Sequence, residues 1–516
     1  MFNKVQTKTG GKDATQGVIP GRFALSVGKP DTPTPAGWMW VKLTDVARLE
    51  TGHTPARKHP EYWGGDISWV GIKDATSNHG FVLEDTFQHV TQEGIDNSSA
   101  RILPENTVCL SRTASVGYVV VMGKPMATSQ DFVNWVCSEK IDYRYLAAVL
   151  FAENSSYSLF SRGTTHQTIY FPEAKAFHVL LPSKRKQKTV ADTYWNLINK
   201  IQLNRQINQT LESMAQAIFQ SWFVDFDPVK AKIAAREQWQ TLTDDQRSEW
   251  LNELLDKQAY LKTCLSELSA NNEQGTSETL YLNIAAMTAI SSRDETSLAD
   301  MSADEFSQLY KTASLFPERL VESELGEIPE GWEASTLGKH FDVVMGQSPK
   351  GDTYNEDGDG MVFFQGRRDF GFRYPTPRVY TTDPKRIAKA GDTLISVRAP
   401  VGDRNMARQE CCLGRGVASI KHKSGARSFT FSFVGHIEKN LSESGSSGTV
   451  FSSINKNELS AVKFVAPNLK LLEAFESRAE TLDQQVEINS EEIDTLEIMR
   501  DSLLPKLLSG EIDITV

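Results

Sequence analysis

Cysteine is scarce in this chain: five in 516 residues, at positions 109, 137, 264, 411 and 412. None stands in a C-x-x-C pair, and the odd count argues against a disulfide framework. A reduced, cytoplasmic chain without structural zinc is expected. No apolar run reaches bilayer-spanning length, and the polar start, with Lys4, Lys8 and Lys12 among Gly and Thr, does not read as a signal peptide. There is no G-x-x-x-x-G-K-[ST], which excludes a P-loop ATPase, and no strand–G-x-G-x-x-G–helix unit for a dinucleotide or S-adenosylmethionine. The N-P-P-Y or D-P-P-Y tetrad of adenine-amino methyltransferases is missing, as are H-E-x-x-H and G-x-S-x-G. The nine histidines lack ligand spacing. The chain is therefore expected to bind no metal or cofactor and to catalyse nothing alone.

Basic excess is lacking too, since the formal net charge is −11. Its location matters more than its size. Residues 231–330 hold 19 Asp/Glu against 8 Lys/Arg and account for the whole excess, whereas residues 38–190 carry 16 Lys/Arg and 15 Asp/Glu. A near-neutral domain can still present a basic face, so charge leaves nucleic-acid binding open.

What the chain does have is itself, twice. From about residue 108 to 226, residue i finds a counterpart at i+285: Leu110, Ser111, Ala114 and Gly117 match Ile395, Ser396, Ala399 and Gly402. Gly163, Thr164 and Ile169 match Gly448, Thr449 and Ile454. Upstream the offset is 294, where Gly37, Trp38, Gly52 and Pro55 match Gly331, Trp332, Gly346 and Pro349. Each copy runs to about 190 residues, the size of a domain plus a helix rather than of a solenoid unit. No Asp…Glu-x-Lys arrangement recurs in both copies, which weakens a nuclease reading.

Within a copy, short β-type runs (Val108–Leu110, Tyr118–Met122, Phe132–Val136, His178–Leu181) mix with a helical patch at Tyr143–Phe160, an α+β pattern. A long amphipathic helix follows. Its apolar seam runs Val190, Tyr194, Leu197, Ile201, Asn204, Asn208, Leu211, Ala215, Ile218, Trp222, in steps of four and three. The second copy repeats it from Phe475 through Asn489 to Leu507. That is a coiled-coil signature, and each helix has an in-chain partner of the same phase. If a two-fold axis relates the copies, the helices run antiparallel with a globular domain at either end. Asn204 and Asn489 interrupt the seams at the same place, either as a solvated edge or as a polar pin of register. The expected organisation is a flexible arm (1–35), a first α+β domain (36–186), a first helix (187–228), an acidic, partly helical linker insert (229–325), a second α+β domain (326–470) and a second helix (471–516). In the insert, one or two helices are expected, Asp244–Glu267 among them, between flexible polar stretches at Asn271–Glu278 and Ser291–Ser302.

Three segments resemble a known family. Gln220-Ser221-Trp222-Phe223-Val224-Asp225-Phe226-Asp227-Pro228 is similar to the central region of type I restriction–modification specificity (S) subunits. Glu324-Leu325-Gly326-Glu327-Ile328-Pro329-Glu330-Gly331-Trp332 resembles that family's entry into its second target-recognition domain. Arg500-Asp501-Ser502-Leu503-Leu504-Pro505-Lys506-Leu507-Leu508-Ser509-Gly510-Glu511-Ile512 resembles its C-terminal end. The similarity spans roughly 36–228 and 320–516. It implies a double-stranded DNA reader, each target-recognition domain taking one half of an asymmetric bipartite site. It also implies that the helix pair docks two modification subunits, which use S-adenosylmethionine, and that two restriction subunits add ATP- and Mg2+-dependent cleavage. The alternatives are a single-chain methyltransferase or nuclease, disfavoured by the missing motifs, and a purely structural coiled-coil adaptor.

If the two halves read different sequences, the reading residues lie in loops that differ between copies on a common scaffold. Phosphate and base-edge contacts both favour Arg, Lys, Gln, Asn, Ser and Thr. The candidates in copy one are Thr54, Lys58, Lys73, Arg112, Arg162, Thr164, Thr165 and Gln167. In copy two they are Gln347, Lys350, Arg367, Arg368, Arg398, Ser447, Thr449 and Ser452. The recurring Gly-Thr loops serve either as structural turns or as close backbone approaches to a ligand. For Trp222, Phe223 and Phe226, burial in the helix pair competes with an apolar platform for a partner. The platform is the favoured reading, with Leu503, Leu504 and Leu508 as counterparts.

Overall fold

The computed structural model describes residues 17–161, 167–257, 276–443 and 453–512. The chain divides into two compact units, residues 1–207 with 488–516 and residues 208–487. Both are α+β.

In the first unit eight strands carry the scaffold: β1 (Met39–Lys42), β2 (Ala47–Thr51), β3 (Trp63–Val70), β4 (Val108–Ser111), β5 (Val119–Met122), β6 (Ala127–Thr128), β7 (Phe132–Cys137) and β8 (Phe177–Leu181). The order β2-β7-β4-β5 is antiparallel throughout, with Val82–Leu83 added in parallel at the far edge. β1 pairs antiparallel with β8, and β3 pairs parallel with β6. β4 and β5 are buried on both faces. One face packs on the helix Tyr143–Ala152, through Leu110, Val121 and Leu146; the other packs Cys109, Val120 and Met122 against Phe132.

The second unit repeats this plan strand for strand: β9 (Glu333–Thr336), β10 (Phe341–Met345), β11 (Met361–Phe364), β12 (Thr393–Ser396), β13 (Arg404–Met406), β14 (Cys411–Leu413), β15 (Val417–His422) and β16 (Lys463–Ala466). The order is β10-β15-β12-β13, β9 pairs antiparallel with β16, and β11 pairs parallel with β14. The register repeats as well: Leu110 lies opposite Val133 as Ile395 lies opposite Ala418. Duplicated residues thus hold duplicated positions, which explains two glycine matches. A Cβ on Gly52 or Gly346 would fall 2.1 Å from a backbone oxygen, of Ser129 or Gly414, so only glycine fits either site. Gly117 and Gly402 close matching turns at φ +100° and +108°, in the region that favours glycine.

The copies differ in length in the stretch that carries Lys73 in one and Arg367 and Arg368 in the other. From Trp69 at the end of β3 to Leu110 the chain takes 41 residues, whereas from Phe363 in β11 to Ile395 it takes 32. The change of offset from 294 to 285 falls in this stretch.

The two long helices are Lys184–Phe223 and Leu469–Leu508, and no seam residue of either is exposed. In the first unit Val190, Tyr194 and Ile198 share a core with Leu504, Leu507 and Leu508. In the second, Phe219, Trp222 and Phe223 pack with Leu471, Phe475 and Ala479. In each unit one helix's beginning therefore meets the other's end, which is antiparallel pairing.

Two expectations need correction. The arm is ordered from Ile19 onward among the described residues: Leu25–Val27 pairs with β8, and the loop before it wraps the buried Glu153 carboxylate. That carboxylate accepts from the backbone N–H groups of Arg22 (2.9 Å), Phe23 (2.7 Å), Ala24 (2.7 Å) and Leu25 (3.1 Å). Its anchor lies 130 residues away, which hid the order from local sequence. The insert, likewise, is more than a linker with one or two helices. Its described part holds helices at Asp244–Lys257, Thr276–Ser291, Glu295–Ala299 and Ala303–Ser314, after one at Asp227–Thr241. Leu280, Ile284, Met287, Phe306 and Phe316 from this segment join the main core of the second unit. The stretch expected to be flexible at Ser291–Ser302 contains the helix Glu295–Ala299, capped by Asp294. That expected at Asn271–Glu278 falls mostly outside the described residues, as does the end of the helix expected at Asp244–Glu267.

Candidate nucleic-acid interface

In the second unit a cleft of about 1170 Å³ opens beside the ends of β11 and β12. Its lining includes Arg367, Arg368 and Arg398, three of the expected reading residues, together with Arg415, Phe372 and Ser348. Arg367 and Arg368 stand exposed on a single turn, Arg367–Asp369, that follows β11. Asp369 beneath them is 5% exposed and holds the turn, accepting from the Gln365 backbone N–H (3.2 Å) and from Arg378 (3.0 Å). Arg367 also forms an ion pair with Asp403. The cleft is thus cationic with two acids, Asp403 and Glu438, on its wall. Gln347 and Lys350 are exposed in the loop after β10; Gln347 donates its N–H to Leu413 O at 2.8 Å, and the cleft is lined between them by Ser348 and Pro349.

Sequence reasoning missed Arg415, although its setting Gly414-Arg415-Gly416 was a signal. The backbone at Gly414 and Gly416 closes on Gln365, within 3.1 Å of where side chains would begin, and carries Arg415 to the cleft. It also missed Arg373. This guanidinium is 3% exposed, lies 3.7 Å from the centre of the Phe431 ring, and pairs with Glu212 (3.3 Å) and Asp483 (2.5 Å), one from each long helix. Burial pushes the Glu212 carboxyl above its ordinary value, and Arg373 pulls it back. Through this pair the cleft loop is fastened to both helices within the unit.

In the first unit the corresponding turn, Ile72–Ser77 after β3, carries Lys73 and the buried Asp74. Asp74 accepts from the backbone N–H groups of Gly71 and Phe87, both at 2.8 Å. Thr54 and Arg112 converge on a neighbouring loop: Thr54 hydrogen-bonds Gln130, and Arg112 Nε donates to Gln130 O at 3.1 Å. Burial pulls the Arg112 guanidinium below its ordinary value, with Asp131 opposing. Lys58 and Gln167 are exposed. Arg162, Thr164, Thr165, Ser447, Thr449 and Ser452 lie outside the described residues.

The expected partner platform is corrected by burial. Trp222 is 1% exposed and packs edge-on to Phe316, Phe223 meets Phe429 at 5.0 Å, and Phe226 meets Trp332 at 5.6 Å. Leu504 and Leu508 are buried in the first unit's core and Leu503 is partly buried there. These side chains are spent inside the chain: the insert and the second domain cover Trp222, Phe223 and Phe226, and the first unit's own core takes up Leu504 and Leu508. Among the described residues no group of His, Cys, Asp and Glu is placed to hold a metal, and no helix is long and apolar enough to cross a membrane.

Comparison with known proteins fits this duplicated arrangement. The family model described as "Type I restriction modification DNA specificity domain" matches residues 35–213 and 329–497, one stretch per copy. A putative type I restriction enzyme specificity subunit, MjaX, of Methanocaldococcus jannaschii is 39% identical over 196 residues, which cover 37% of this chain and 46% of that protein. The HindI specificity subunit of Haemophilus influenzae is 28% identical over 374 residues, covering 68% of this chain and 72% of its own. The chain thus spans about half the length of the first relative and nearly three quarters of the second. Among solved structures, the HsdS subunit from Thermoanaerobacter tengcongensis aligns over 93% of this chain and 99% of its own, at 21% identity and a TM-score of 0.30. The S subunit from M. genitalium aligns over 94% and 100%, at 13% identity and 0.47. The assignment rests on the two matched domains: the chain belongs to the type I restriction–modification specificity-subunit family.

Proposed function

We propose that this chain is the non-catalytic DNA-reading subunit of a type I complex, each unit reading one half of an asymmetric bipartite site in double-stranded DNA. The observation that carries this reading is one scaffold built twice, with matching register, bearing different basic loops in the same place: Lys73 after β3, Arg367 and Arg368 after β11. A common scaffold with divergent loops suits two related but unequal targets. Arginine is the side chain that pairs bidentately with guanine, while phosphate contacts fix register. Adenine methylation is assigned to two modification subunits that bring S-adenosylmethionine; translocation and cleavage, with ATP and Mg2+, are assigned to two restriction subunits. This chain supplies the address.

Methyl transfer from labelled S-adenosylmethionine to DNA tests the division of labour. The chain alone transfers nothing, and the chain with its modification subunit transfers to a defined site. Transfer by the chain alone would overturn the proposal, as would a complex whose methylation sites share no motif.

A further inference from the structure

The cleft of the second unit contains an apolar side chain that its charge does not explain. Phe372 is 48% exposed and lines the cleft beside Arg367 and Arg368. It is not a loose loop tip. On one side, Gly371 is clamped by the buried Asn405, whose Oδ1 accepts from the Gly371 N–H (3.0 Å) and whose Nδ2 donates to the Gly371 carbonyl (2.9 Å). On the other, Arg373 accepts at its carbonyl from the Met406 N–H (2.8 Å) and plants its guanidinium between Glu212 and Asp483. With both neighbours fixed, the backbone at Phe372 is held at the cleft. An exposed ring forgoes the burial that makes phenylalanine favourable.

The first unit also holds an exposed phenylalanine beside a cation of the corresponding turn. Phe87 is 58% exposed, the Lys73 ammonium stands 4.0 Å from the centre of its ring, and its backbone N–H is tied to the buried Asp74. In both units, then, an exposed phenylalanine is fixed next to the basic turn that follows the parallel-paired strand. A cationic surface with a fixed apolar prong suits a ligand that is anionic at its edge and apolar behind it. A nucleic-acid duplex has that order: phosphates outside, thymine methyl groups and base faces within the grooves.

Resting on the reading of this chain as a DNA-specificity subunit, we propose that Phe372 and Phe87 are specificity-determining residues that contact bases rather than the sugar-phosphate backbone, one in each half-site. The surrounding arginines and lysine bring the backbone within reach; the rings distinguish among sequences. Both side chains are exposed, so their removal leaves the fold intact.

The test uses the full chain in complex with its modification subunit and two duplexes, one carrying the site defined by mapping methylated adenines and one with both half-sites scrambled. Binding is measured across a salt series. Phe372→Ala is expected to weaken the cognate duplex roughly tenfold while leaving scrambled DNA and the salt dependence unchanged, since a base contact releases no counterions. Phe87→Ala behaves alike, and duplexes with one scrambled half-site place the two effects in opposite halves. Equal loss on cognate and scrambled DNA, a changed salt slope, or no loss would overturn the proposal. A wild-type complex that fails to separate the two duplexes would instead overturn the underlying DNA-reading assignment.

Discussion

Asn204 Nδ2 donates to Glu492 Oε2 across 2.7 Å, joining the seam of one long helix to the flank of the other. Lys200 Nζ reaches the same oxygen at 3.1 Å. Asn204 is 1% exposed, and its Oδ1 is buried without a hydrogen-bond partner among the described residues. A polar seam residue whose single bond is directional favours the register that makes the bond, at a cost in stability.

Asn204→Leu should therefore raise the melting temperature by a few degrees, corresponding to about 1 kcal/mol, because it removes an unsatisfied buried oxygen and adds apolar contact. Asn204 and Lys200 together hold the Glu492 carboxyl below its ordinary value. In the variant Glu492 should titrate at higher pH, which NMR would detect. An unchanged titration would show that the bond does not persist in solution.

A pH effect follows from Lys232, buried in the second unit with its Nζ donating to Phe316 O at 2.8 Å. Burial pushes its pKa down to about 8, with Glu318 opposing. The folded state therefore gives up this proton before the unfolded chain does. Below pH 8 both states hold the proton; above it the unfolded chain binds more, so this group's contribution to stability rises with pH toward the unfolded value. Its full size is on the order of 3 kcal/mol. Denaturant melts of wild type and Lys232→Met between pH 7 and 10 should diverge in slope, wild type gaining on the variant. Parallel pH profiles would mean the ammonium is not desolvated.

Removing Arg373, itself buried, leaves the partly buried carboxylates of Glu212 and Asp483 without their shared cation. Arg373→Ala should destabilise the second unit by about 3–5 kcal/mol at pH 7, the usual cost of an uncompensated buried charge. Glu212, already raised by burial, loses Arg373, the larger of the two cationic influences that lower it, keeps Arg404, and rises further. Its carboxyl then protonates more readily in the folded state than in the unfolded chain, so the deficit should shrink as pH falls toward the carboxyl range. Differential scanning calorimetry at pH 7 and pH 5 would measure both. A loss independent of pH would point to packing against Phe431 as the main contribution of this residue.

Much of this fold was legible because it is written in periods and repeats. The run Val108–Leu110 became a central strand because an uninterrupted apolar run suits a sheet covered on both faces, and its counterpart around Ile395 follows from the repeat. The seams from Val190 and Phe475 kept their steps along both helices. What failed was whatever depends on distant chain. The order of residues 22–25 is set by Glu153, and the burial of Trp222 by Phe316 and Phe475, neither adjacent in sequence. For the site, residue type alone found Arg367, Arg368 and Arg398. It could not find Phe372, because an exposed phenylalanine and a buried one look the same in a sequence. Arg373 was hidden for the opposite reason: it follows the cleft residue Phe372 but turns inward, to Glu212 and Asp483.

The central claim is that two units on one scaffold read two different half-sites. Sequencing the methylated adenines in a host that expresses the chain with its modification subunit tests this most directly, comparing wild type with the Arg367→Ala, Arg368→Ala double variant. The account predicts a motif of two sequence blocks parted by unread bases, and a variant in which one block loses definition while the other stays unchanged. Each lost guanine contact should be worth about 1–3 kcal/mol of discrimination. A single uninterrupted motif, or a variant that blurs both blocks equally, would contradict it.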